Sequence, residues 1–281
     1  MTSGVTLVPV DARPAADAHA AFVGAFSDYV TGPVQLPFDQ WAALGARQGV
    51  VDALGRLAVR DDQVIAFALV CPRPETGRWR LGAMGALPAA RGSGAAQALL
   101  DDFLERARDA GARAVELECF AANERALRLY RSRGFEVVCE LNAWKATPAP
   151  AIAPASARDV RPLERASALA WLADANRRVP DLPFQNTDRS LAAQVRPLTF
   201  WQRGDALLVF SAVADAPTTI HALVDLDPAL RDAEVLAQAL RAAHPDAVAP
   251  PLLRDDLGGA ALGRAGFERQ PLGQVFMKRA A

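Results

Sequence analysis

The chain has 281 residues, and its 31 Lys plus Arg nearly cancel its 32 Asp plus Glu, so no strongly basic surface advertises nucleic acid or anionic lipid. No stretch reaches the ~18 consecutive apolar residues of a membrane-spanning helix, and the start "MTSGVTLVPV" has no basic segment leading into a long apolar run. We therefore expect a cytoplasmic protein with a small-molecule partner, with no nucleic acid and no membrane, and at this length two domains of roughly 140 residues each.

In chain order, "VTLVPV" is a strand candidate and Ala15 to Phe26 has helical spacing, with Ala21, Phe22 and Phe26 on one side. "FDQWAALGARQG" predicts a short helix. "RLAVR" and "VIAFALVC" flank the turn pair Asp61 and Asp62 and predict a hairpin. "RWRLGAMGAL" predicts a strand that runs into "LPAARGSGAAQALL". The following helix gathers Leu99, Leu100, Phe103, Leu104 and Ala107 on one face and stops at Gly111. "AVELECF" is the next strand, then Asn123 caps a helix that ends at Gly134, and two strand-like pieces, "FEVVCEL" and "NAWKA", close the half. This order predicts an α/β domain with a mixed sheet.

The Pro/Ala-rich stretch "TPAPAIAPASARD" offers almost nothing to pack and predicts a semi-rigid linker. The boundaries expected are 1–146 for a first domain, 147–158 for the linker and 159–281 for a second. The second half repeats the first in weaker form: "LLRDDLGGAALGRAGFE" resembles "CFAANERALRLYRSRGFE", and an internal duplication is the simplest account. Cys71, Cys119 and Cys139 lack C-x-x-C spacing and lie in apolar runs, which predicts buried packing. His19, His221 and His244 have no metal-ligand spacing, so no metal is expected.

The glycine-rich turn ahead of a helix has two readings. It is a tight strand-to-helix turn, or a nest of backbone N–H groups that, with the helix N-terminus, holds phosphate. Two motifs favour the second. "RGSGAA" matches the [R/Q]-x-x-G-x-[G/A] loop of the GCN5-related N-acetyltransferase (GNAT) superfamily at Arg91, Gly94 and Ala96, and its second signature is matched by Asn123, Ala126, Leu129, Tyr130, Gly134 and Phe135. The chain thus resembles that superfamily over its first half and, in degraded form, over its second.

The resemblance implies two tandem GNAT-like domains, each a mixed, mostly antiparallel sheet flanked by helices. It implies acetyl-CoA as cosubstrate and transfer of its acetyl group to the amine of a small molecule by direct attack in a ternary complex. The cofactor-binding residues it implies are Met84, Ala86, Leu87, Arg91, Gly92, Ser93, Gly94, Ala95, Ala96 and Asn123. Gly82 and Gly85 would let the strand bulge away from its neighbour. Tyr130 is the candidate acid for the leaving thiolate, and Asp28 and Tyr29 are candidate substrate contacts. The general base is Glu118 or, equally, water alone.

Aligning Pro88 with Pro228 sets Gly92 and Gly94 against Asp232 and Glu234, and aligning "RGFE" with "AGFE" sets Tyr130 against Leu262. One working site, in the first domain, is expected, in a monomer whose second domain acts as a pseudo-dimer mate. Pro180, Phe184, Gln185 and Asn186 are further candidates for the acceptor wall. A noncatalytic acyl-CoA sensor and a protein or peptide N-acetyltransferase remain the alternatives.

Overall fold

The computed structural model describes residues 4–148, 159–179 and 181–281. Most of the expected linker, residues 149–158, and Pro180 lie outside the described residues. Two compact units form. The first holds Met1–Cys119, Asn123–Glu136 and Met277–Ala281, the second Phe120–Ala122 and Val137–Phe276.

The first unit contains β1 (Thr6–Pro9), α1 (Ala15–Ala25), α2 (Trp41–Gln48), β2 (Arg56–Arg60), β3 (Gln63–Arg73), β4 (Arg78–Ala86), α3 (Ala95–Asp109), β5 (Ala114–Phe120) and α4 (Glu124–Arg131). Strands β1 to β4 pair antiparallel in sequence order, and β5 joins β4 in parallel. A parallel neighbour needs a crossover, and α3 supplies it. The β2–β3 hairpin turns through Asp61 and Asp62, both at positive φ, the conformation a two-residue I′ turn requires. Helix α3 buries Leu99, Leu100, Phe103 and Ala107 as its spacing predicts, each large side chain being worth roughly 1.5–3 kcal/mol when fully buried. Helix α1 lays Ala18, Ala21, Phe22 and Ala25 on Leu57, Phe67 and Leu69 of the sheet.

The second unit contains β6 (Glu136–Ala146), β7 (Arg161–Pro162), α5 (Arg165–Arg178), α6 (Asp188–Ala192), β8 (Thr199–Arg203), β9 (Ala206–Ser211), β10 (Thr219–Asp225), α7 (Arg231–Ala243), β11 (Val248–Leu253), α8 (Gly259–Arg264) and most of β12 (Phe267–Ala280). Strands β7 to β10 pair antiparallel, and β11 joins β10 in parallel across α7. This is the pairing pattern of the first unit again. The duplication is therefore legible in topology even where sequence similarity is faint.

Two differences from the sequence reading stand out. The pieces "FEVVCEL" and "NAWKA" form one strand, β6. Residues 137–146 of that strand cluster with the second unit rather than ending the first, because β6 pairs with β11 at Lys145 and Trp144, and Trp144 enters that unit's core. The change of packing partner thus falls between Glu136 and Val137, ahead of the proline-rich stretch.

Candidate active site

Strands β4 and β5 pair only from Arg78↔Ala114 to Leu81↔Leu117. Beyond that point β4 continues to Ala86 and β5 to Phe120 without pairing to each other. The cause is local. The β3–β4 register slips between Leu69↔Ala83 and Val70↔Leu81, leaving Gly82 as the extra residue of a bulge. A Cβ at Gly82 would collide with the Cys71 sulfur. The expected bulge is thus built on glycine, and it opens the sheet at its centre.

At the open end of β4 the chain turns through Arg91–Gly94 into α3. Gly92 and Gly94 stand at φ +79° and +86°, and apart from their chain neighbours no described residue comes within 4 Å of where their Cβ atoms would be. Glycine is required here by backbone conformation. The Ser93 amide donates to the Ala90 carbonyl and the Ala95 amide to the Ser93 hydroxyl, whereas the amides of Gly92, Gly94, Ala96 and Gln97 meet no acceptor among the described residues. No side chain caps α3. Four unspent N–H groups at the positive end of a 15-residue helix form a ready anion site.

These amides line a cavity of about 410 Å³ within the first unit. Met84, Ala86, Arg91, Gly92, Gly94, Ala95, Ala96, Asn123, Asp28, Tyr29 and Tyr130, all expected from the sequence, border it. Leu87 and Ser93 do not: the Leu87 amide is spent on the Ile65 carbonyl, 2.9 Å away, and its side chain packs against Gly24. Phe26, Gln97, Arg125 and Arg128 also line the cavity and were not read from the sequence. Arg125 and Arg128 fall on the same helix face as Leu129 and Ser132, a spacing that could have shown them.

Helix α4 carries the second motif. Asn123 Oδ1 accepts from the Ala126 amide at 3.2 Å and caps the helix, and its side chain also hydrogen-bonds the Tyr29 phenol. With Oδ1 committed, the amide Nδ2 is the donor. Asn123 thereby ties α4 to the segment after α1. Tyr130, 7% exposed, packs edge-on against Phe135. Burial pushes its phenol far above the ordinary tyrosine value, helped by neighbouring Cys119 and Tyr29. Burial likewise pushes Tyr29 and Cys119 each to about 12. Two neutral phenols, Tyr29 and Tyr130, therefore border the cavity at physiological pH.

Residues 18–135 match the model of the Acetyltransferase (GNAT) family. This first unit is a GNAT acetyltransferase domain. Solved structures share the fold over nearly the whole chain. A GCN5-related N-acetyltransferase from Sphaerobacter thermophilus aligns at TM-score 0.67 and 16% identity, covering 98% of this chain and 95% of the other. One from Kribbella flavida aligns at TM-score 0.62 and 18% identity, covering 99% and 71%. No curated protein matches the chain by sequence.

Within the GNAT domain, Glu118 does not reach the cavity. Its Oε2 lies 2.7 Å from Arg80 in a pair whose side chains are 2% and 3% exposed, and its Oε1 is buried without a partner. Glu116 is buried between Arg73 and Arg78. Asp28 is the only carboxylate on the cavity wall among the described residues, and both its oxygens are held by Arg91. Among the described residues no helix is long and apolar enough to cross a membrane, and no group of three or more His, Cys, Asp or Glu is placed to hold a metal ion.

The second unit's equivalent turn differs from the alignment made on prolines. Helix α7 starts after Leu230, which takes the left-handed conformation that Gly94 takes before α3. Leu230, not Arg231–Glu234, is thus the counterpart of the end of the glycine-rich turn, and the loop from β10 is shorter. Asp232 and Glu234 point to Arg203 and Arg264 at 2.9 and 2.7 Å. The anion at this helix start is Asp225, 1% exposed, whose two oxygens accept from the Asp227 and Ala233 amides, each at 2.9 Å. Phe184 and Asn186, candidate wall residues, are buried inside the second unit, where Asn186 donates to the His221 carbonyl.

Proposed function

We propose that the first unit binds acetyl-CoA and transfers its acetyl group to the primary amine of a small molecule by direct attack. The observation that carries this reading is the coincidence, on one cavity wall, of four unspent amides from the turn and the first turn of α3 and a buried neutral phenol. The amides of Gly92, Gly94, Ala96 and Gln97 suit a pyrophosphate, which brings acceptor oxygens and negative charge to the α3 N-terminus. The unpaired edge of β4 at Met84–Ala86 suits the amide groups of a pantetheine arm and a polarised thioester carbonyl.

In the transfer itself the amine nitrogen forms a bond to the acyl carbon while the carbon–sulfur bond breaks, and the departing sulfur takes up a proton. Tyr130 donates that proton as a neutral phenol and recovers one from the nitrogen, which sheds its second proton as the amide forms. On the wall of this first cavity the only carboxylate among the described residues, Asp28, is held by Arg91. The ammonium proton therefore leaves to water before attack, the second of the two routes the sequence left open.

The second unit supports a structural part in this reading, since Asp225 already fills the anion position at its helix start. The test is release of free thiol from acetyl-CoA in the presence of a panel of primary amines. Binding of acetyl-CoA with no thiol release for any amine would instead favour an acyl-CoA sensor.

A further inference from the structure

The GNAT domain holds a second cavity, of about 360 Å³, walled by α1, α2, β3 and β4. It follows the first cavity along both shared elements. On β4 the second is lined by Gly82 and Ala83 and the first by Met84 to Ala86; on α1 the second is lined by Phe22 and the first by Ala25 and Phe26. The rings of Phe22 and Phe26 stand edge-on at 4.9 Å, one in each cavity. We infer that this second cavity holds the acceptor, and that the acceptor is a primary amine carrying an aromatic side chain and a neutral carbonyl oxygen, as in an α-amino amide. The inference rests on the acetyl-transfer reading and names its substrate class.

The aromatic part follows from the walls. Trp41 is fixed in place by edge contacts to Phe22 at 5.3 Å and to His19 at 5.7 Å, and His19 is itself anchored on the Leu36 carbonyl at 2.7 Å. A rigid indole beside Phe22, Leu44 and Leu69 offers a flat apolar surface that an alkyl polyamine would leave unfilled.

The carbonyl follows from Gln48. Arg80, 2% exposed, donates to Gln48 Oε1 at 3.0 Å, which fixes the amide orientation and leaves the Nε2 hydrogens for the cavity. The site thus presents a donor and asks for an oxygen. A carboxylate would be a poor choice. No cation lines this cavity among the described residues, Arg80 being neutralised by Glu118, and Asp52 on its border adds negative charge. A neutral carbonyl meets the Gln48 donor without that penalty, and Asp52 favours the approach of an ammonium.

The test is calorimetric titration of the full chain, saturated with CoA, with two amine probes, phenylalanine amide and 2-phenylethylamine, which lacks the carbonyl, and with free phenylalanine, which carries a carboxylate instead. The expected result is that phenylalanine amide binds at least tenfold more tightly than free phenylalanine. Gln48→Leu should remove about tenfold of its affinity while leaving 2-phenylethylamine unchanged, a difference that general unfolding would not produce. Trp41→Ala should weaken both. A peptide that begins with Phe and binds as well as the amide supports the same chemistry and assigns its source to a polypeptide. Equal loss of both probes in Gln48→Leu, or tighter binding of a polyamine such as spermidine, would overturn the inference. Acetyl-CoA titrated into the full chain free of CoA separates the two levels: heat with acetyl-CoA and none with either amine overturns the acceptor class alone, whereas no heat with acetyl-CoA overturns the transfer reading beneath it.

Discussion

Both carboxylate oxygens of Asp28 lie 2.5 Å from the two terminal nitrogens of Arg91, joining the segment after α1 to the first residue of the glycine-rich turn. Pyrophosphate arriving at the turn would meet a cation already spoken for and a carboxylate of its own sign. Asp28→Asn should therefore tighten acetyl-CoA binding severalfold, most strongly at low ionic strength, as read by titration at two salt concentrations. Unchanged or weaker binding would show that the pair serves the turn's conformation instead. Arg91 holds the Asp28 carboxyl below its ordinary value of 3.8. A depressed folded-state value means the ion pair is fully present above pH 3.8 and is lost only as pH falls through the lower value. Binding should thus carry no Asp28 signature between pH 5 and 9.

Tyr130 is neutral across the same range because burial raises its phenol. With no base on the wall, log kcat/KM should climb with unit slope up to the pKa of the acceptor amine and then stay level to pH 10. Tyr130→Phe should lower kcat by roughly 10²-fold and leave the dissociation constant of acetyl-CoA unaltered. A descending limb below pH 10 in the parent protein, absent in Tyr130→Phe, would contradict the neutral-phenol assignment.

Gly94 sits at φ +86° with open space around it, so alanine there meets no clash and suffers only backbone strain, about 1 kcal/mol. Gly94→Ala should shift the denaturation midpoint slightly and weaken acetyl-CoA binding by tenfold or more as the turn relaxes and its amides rotate away. Gly82→Ala should behave oppositely, with its cost in stability, because its Cβ would strike the Cys71 sulfur.

Titration should give one acetyl-CoA per chain, since the Asp225 carboxylate already takes the Ala233 amide in the first turn of α7 and the Asp227 amide in the loop before it. Asp225→Ala should lower thermal stability, by about 1–3 kcal/mol for unsatisfied buried donors, with acetyl-CoA kinetics unchanged. A stoichiometry of two would contradict this assignment.

Burial raises Cys71 to about 11 and Cys119 to about 12, leaving Cys139 the most accessible of the three thiols. At pH 8 a thiol-specific reagent should label Cys139 first in the native protein and the other two only after unfolding, as mass spectrometry of the labelled peptides would report.

The sequence by itself determined the parts of the fold and site that rest on short-range physics. Helix α3 was legible because its apolar residues recur with the helical period, the turn at 91–96 because only glycine tolerates its backbone angles, and Asn123 because capping is a local hydrogen bond. The second unit was harder to read. Strand β11, "VAPPLL", carries two prolines that argue against a strand and are tolerated beside a register shift between Ala249 and Leu253. What only the tertiary structure decided were the relations between distant residues. Glu118 has the composition and strand position of a base, yet Arg80 on the neighbouring strand claims it; Leu87 follows the motif, yet Ile65 takes its amide. The Asp28–Arg91 pair, the Asp225 cap and the orientation of Gln48 are likewise chosen by residues far apart in the chain. Periodicity and capping are written within a few residues, whereas the fate of a charge or an amide depends on which partner folding brings within hydrogen-bond reach.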